Sequence, residues 1–141
     1  MKAQSSIVYL LITIAIALIL ASGVYFSAYF FKAKLNENIL EQSAEEILQR
    51  VHNGLLKMRT LYNQNATNIS ITINIPSQIG EQKYTITGLG NKIELRTFGN
   101  PSVIKTTEIN YWQNISIQGL VGSEKEKLRL NLINESTILI Y

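Results

Sequence analysis

Ten glutamates and a single histidine, His52, are the only acid–base side chains of ordinary catalytic use in this 141-residue sequence, which has neither cysteine nor aspartate. Serine-histidine-aspartate triads, EF-hand loops, two-histidine metal motifs and zinc-thiolate sites are therefore excluded by composition. Disulfide cross-links are excluded as well. Glu81, Glu94 and Glu108 show no spacing that would bring two carboxylates together, so no catalytic, cofactor-binding or metal-ligating residues are expected and the chain reads as a non-enzyme. Its thirteen Lys and Arg are scattered, without an aromatic-interleaved stripe, which argues against nucleic acid as a partner. The chemistry that remains is that of carboxamides. Four Asn-x-Ser/Thr sequons occur, at Asn65, Asn68, Asn114 and Asn134, where thirteen Asn and this Ser and Thr content give about two by chance. They are candidates for N-glycosylation, with at least one expected to be occupied, where glycans would shield strands and raise solubility.

The elements that position these groups begin with KAQSSIVYLLITIAIALILASGVYFSAYFF, residues 2–31. Residues 7–31 carry no charge, and 25 helical residues span about 37 Å, more than the roughly 30 Å hydrocarbon core of a bilayer. Tyr25, Tyr29, Phe30 and Phe31, followed by Lys32 and Lys34, have the order of an interfacial aromatic belt with cationic anchors. A secretory signal cut within Ala21-Ser22-Gly23 is the competing interpretation, but the apolar run continues past that point and exceeds the usual 7–15 residues. The segment is expected to be retained. Counting Lys2 against Lys32 and Lys34 leans towards a cytoplasmic head.

The extreme N-terminus points the other way. Lys2-Ala3-Gln4 places a basic residue, a small residue and a glutamine before the apolar run, and Gln4-x-Ser6 follows. This start resembles the class III signal of archaeal type IV pilins and archaellins, with Ile12 where that pattern has leucine and Val8 where it often has glutamate. The resemblance implies cleavage by a prepilin peptidase between Ala3 and Gln4. It further implies an N-terminus in the cytoplasm, a head outside the cell, and assembly by a secretion ATPase and membrane platform into an extracellular filament. Its partners would be further copies of itself or related pilins, and membrane lipid before assembly. The glutamate role at Val8 is not carried over.

Past Lys32 the sequence KAKLNENILEQSAEEILQRVHNGLLKMRTLYNQ spaces its apolar residues by three and four, the period of an amphipathic helix. No proline occurs before Pro76, so one helix of about 87 Å, from about Gln4 to Leu61, is expected. Ala15, Ala17, Ala21, Ser22, Gly23, Ser27 and Ala28 would let neighbouring helices approach closely. Glu37, Glu41 and Glu45 form a like-charge row at i, i+4, i+8, read as a solvated face, and His52 as a wet flank.

From residue 64 the sequence becomes β-like. In NISITINI the isoleucines alternate with polar residues, and residues 84–87 and 92–98 make a hairpin around Gly88-Leu-Gly-Asn91. Further strands are expected at 109–118, 128–133 and 137–141, giving about six in an antiparallel meander or small sandwich. Ile71, Ile73, Ile86, Leu95, Ile115, Ile117, Leu130 and Leu132 are the expected core, with Tyr111 and Trp112 as core or contact residues. The expected fold class is α+β: a leader at 1–3, an apolar transmembrane or filament-core helix at 4–31, its amphipathic continuation at 32–63, and an extracellular β-rich head at 64–141. The function expected is that of a major or minor pilin. The alternative is a membrane-tethered β-domain that binds at the envelope, such as an adhesin or an archaellum accessory protein.

Overall fold

The computed structural model describes residues 2–66 and 68–141, with side chains from residue 6 onward. Helix α1 (Lys2–Asn63) is followed by strands β1 (Ser70–Asn74), β2 (Lys83–Gly90), β3 (Lys92–Phe98), β4 (Ile104–Glu108), β5 (Ser116–Gly122), β6 (Lys127–Asn134) and β7 (Thr137–Ile140). The architecture is α+β, with a long N-terminal helix and a sheet head. The chain divides into two compact units, Met1–Asn36 and Glu37–Tyr141.

Within the second unit, the later part of α1 lies on one face of a single seven-stranded sheet of order β1-β6-β7-β5-β2-β3-β4. Leu40, Ala44, Ile47, Leu48, Val51, Leu55 and Met58 are buried. Spaced by threes and fours, with one adjacent pair, they form a stripe along one side of the helix. Against them lie Tyr84 and Ile86 of β2, Ile93 and Leu95 of β3, Ile117 and Val121 of β5, Leu128 and Leu130 of β6, and Ile138 and Ile140 of β7. At Gly54 the helix comes close to β1 and β6: a Cβ there would lie 2.5 Å from Ile73 Cδ1 and 3.2 Å from Leu130 Cδ1. Alternate residues on the strands point inward, as the pleat requires.

The sheet is neither a meander nor a sandwich. β7 runs antiparallel to β6 but parallel to β5, pairing Ser116 with Thr137 and Gly119 with Ile140, and so joins two antiparallel halves. Residues 138–140 thus belong to their own head. The strand expected at 109–118 begins only at Ser116. Residues 109–115 form an irregular connection, because Asn114 takes left-handed backbone (φ 61) and the segment folds over to bury Ile109, Trp112 and Ile115. β4 was not expected. It is an edge strand pairing only with β3, and its inward side chains are Lys105 and Thr107 instead of hydrophobics. Of the expected core, Ile86, Leu95, Ile115, Ile117 and Leu130 are buried, and Ile71, Ile73 and Leu132 pack at its margin.

Candidate functional site

The first unit is a helix whose apolar side chains have no cover. Between residues 7 and 31 the large hydrophobics, from Ile14 at 49% to Tyr9 at 76%, remain exposed. The helix contains a stretch long and apolar enough to cross a membrane, none of it buried. Two of its hydroxyls are turned back onto the helix: Thr13 Oγ1 donates to the Tyr9 carbonyl at 2.9 Å and Ser22 Oγ to the Leu18 carbonyl at 2.6 Å. Turned back onto their own helix, these groups are satisfied without water or a partner. Ala15, Ala17, Ala21, Gly23 and Ala28 all lie on this exposed helix, and a Cβ at Gly23 would meet nothing within 4 Å. Ala17, Ala21 and Ala28 share one side with Val24, at spacings of four, three and four. Lys2, Ala3 and Gln4 start the helix backbone; their side chains, and Met1, lie outside the described residues.

The glutamate row meets a cation that the sequence reading did not supply. Lys105 of β4 donates to Glu45 Oε1 at 2.8 Å and to Glu41 Oε2 at 3.2 Å. Those two hydrogen bonds, with Glu45 the stronger influence, hold the Lys105 ammonium above its ordinary value. Two of the three glutamates, Glu41 and Glu45, therefore clamp the helix to the edge strand, while Glu37 remains exposed. The clamp escaped sequence reasoning because the partners lie 64 and 60 residues apart.

His52 is half-buried, its ring 4.9 Å from Tyr111 in an edge-on arrangement, and not a wet flank. Beside it, Glu45, Leu48, Gln49, Lys105, Thr106 and Thr107 line a shallow groove of about 320 Å³. Burial pushes the Tyr111 phenol up to about 12, opposed by the Arg59 guanidinium 5.8 Å from its ring. Trp112 packs against Tyr62 with ring centroids 5.8 Å apart and the planes tilted by 41°. No group of three or more metal-ligating side chains occurs among the described residues.

All four sequon asparagines are exposed. Asn65, Asn68 and Asn114 have left-handed backbone (φ 60, 59 and 61), and Asn134 closes β6, with Oδ1 accepting from Ser136 N–H at 3.0 Å and Ser136 Oγ at 3.1 Å. Thr67, the third residue of the Asn65 sequon, lies outside the described residues. The tetrapeptide Asn-Ile-Ser-Ile occurs at 68–71 and again at 114–117, an identity visible in the sequence whose meaning is conformational.

Compared with protein-family models, curated proteins and solved structures, the chain matches none of them.

Proposed function

We propose that this protein is a structural subunit of an extracellular filament of the archaeal type IV pilus kind, held in the membrane by residues 4–31 before assembly. The observation that carries this reading is the uncovered apolar helix of the first unit, in which the Thr13 and Ser22 hydroxyls bond back to their own backbone. Lipid and the same segments of other copies are the two surroundings that suit such a surface, since neither offers water to a polar group. The class III-like start, Lys2-Ala3-Gln4, supplies the processing step that would release the helix for assembly. The head is the part presented outside, and prepilin peptidase, assembly ATPase and platform are the machinery that the resemblance implies.

The test is the N-terminal mass of the native protein from membrane and sheared-filament fractions. A terminus at Gln4 with the apolar segment intact, present in the filament fraction, is the expected result. An intact Met1 would leave an anchored β-domain for envelope binding, and a terminus near Val24 would reduce the segment to an export signal. Ala17→Arg and Ala21→Arg are expected to abolish incorporation into filaments, whereas an envelope-binding head would keep its function wherever the altered anchor still inserted.

A further inference from the structure

The two copies of Asn-Ile-Ser-Ile have the same local structure. In each, the asparagine is exposed in a left-handed turn (φ 59 at Asn68, 61 at Asn114). The next isoleucine is buried (Ile69 4%, Ile115 6%), and the serine is the first residue of a strand, β1 or β5. The left-handed turn accounts for asparagine, which tolerates it, and strand entry accounts for the isoleucines. Neither accounts for serine. Ser70 makes no side-chain hydrogen bond among the described residues, and Ser116 Oγ only accepts a long one, 3.4 Å, from Gln118 of its own strand. Strand pairing, moreover, carries Asn68, Asn114 and Asn134 to the end of the head where α1 terminates, and Asn65 lies there already, its amide donating to the Tyr62 carbonyl at 2.9 Å. The Leu132 amide donates to the Ile69 carbonyl at 3.0 Å, setting the end of β6 beside Asn68. The Ser116 amide donates to the Ser136 carbonyl at 2.7 Å, setting Asn114 beside the turn that holds Asn134. Chain around Asn65, Asn68 and Asn114 is free of charge, from Thr60 to Gly80 and from Ile109 to Ser123.

We propose that Asn68 and Asn114 are twin acceptor sites for an N-linked oligosaccharide, and that with Asn65 and Asn134 they make this end of the head a glycan crown. The co-substrate is an oligosaccharide activated as a lipid-linked phosphate ester. The Asn Nδ2 attacks its anomeric carbon, and the bond from that carbon to the phosphate oxygen breaks. Phosphate leaves with the electron pair, and Nδ2 gives up one proton to a base of the transferring enzyme. No oxidation or reduction is involved. The turn presents the carboxamide, the buried isoleucine pins the loop, and the free serine hydroxyl two residues on is the group such an enzyme reads. Nothing in this inference depends on whether the protein polymerises; it requires only that the head face the compartment of transfer.

The experiment is intact mass and glycopeptide mapping of the full chain purified from its native membranes, wild type beside Ser70→Ala, Ser116→Ala, Ser70→Thr and Ser116→Thr. Expected is a chain heavier than its polypeptide, with sugar on the Asn68 and Asn114 peptides. Each alanine variant should lose the modification at its own asparagine, each threonine variant should keep it, and melting should be unchanged. Bare Asn68 and Asn114 peptides in the wild type would overturn the proposal without reference to any variant. So would sugar that persists on those peptides in the alanine variants. Filaments built from bare chains would remove this inference alone, and a glycosylated protein that forms no filament would remove only the filament reading.

Discussion

At Gly119 the backbone takes φ +117 where β5 runs alongside β7, and a Cβ would collide with the carbonyl oxygen of Ile140. The obstacle is backbone held by strand pairing, so it cannot rotate aside. Gly119→Ala is expected to destabilise the head by at least about 2–3 kcal/mol, measured by denaturant unfolding. Tyr84 sets a limit of another kind. Its hydroxyl donates to the Pro76 carbonyl, and burial pushes its phenol from 10.0 up to about 12, with nearby Arg50 opposing. A folded-state value above the unfolded one favours the native state fully below pH 10 and loses that contribution as pH rises towards 12. Stability should fall across this window, and Tyr84→Phe should flatten the fall while costing about 1 kcal/mol at neutral pH for the lost hydrogen bond. Unfolding midpoints at pH 7, 10 and 11.5 would check both. Sequence inspection places Tyr84 at the start of a hairpin strand and Gly119 just past the end of another, and says nothing of what either meets. The strain and the burial arise from strands that meet across the sheet.

Elements were legible where their own periodicity reports their partners. The helix stripe and the β2–β3 hairpin bury what their spacing says they bury, and the alternation of β1 and β6 puts Leu130 in the core and Ile71, Ile73 and Leu132 at its margin. β4 was illegible because Ile-Lys-Thr-Thr-Glu turns Lys105 and Thr107 inward to a helix carrying carboxylates, so its inner face is polar. Residues 109–115 misled in the opposite sense: Ile109, Trp112 and Ile115 are buried as in a strand, but by an irregular segment. Of the candidate surfaces, the apolar helix was readable from composition alone, whereas the common end of the four sequons was not, since it depends on the β5–β7 pairing. Two substitutions separate contacts by strength. Leu55→Ala, at a fully buried helix position, is expected to cost about 2–5 kcal/mol. Lys105→Met, which breaks the clamp of β4 to Glu41 and Glu45, should cost much less than Leu55→Ala, because Glu45 and much of Glu41 face solvent. Chemical denaturation of both variants tests the ranking.

For the whole molecule, the division at Asn36 and Glu37 leaves the buried core of the head within residues 37–141. The stripe from Leu40 to Met58 and all seven strands fall inside that range. A fragment of residues 37–141 is expected to be soluble and to unfold in one cooperative transition, which sedimentation and circular dichroism would establish. Removal of the uncovered apolar helix leaves that core intact. The same fragment without residues 137–141 should not fold. β7 lies between β6 and β5, and without it the β1-β6 pair and the β5-β2-β3-β4 group share no edge. Of the seven strands, β7 comes last in chain order, so a ribosome must finish all the others before the sheet can close. Until residues 137–140 emerge, the growing polypeptide has two incomplete half-sheets to offer chaperones and proteases. A chain ended early by a premature stop codon would lack the one strand that joins the two groups of the sheet.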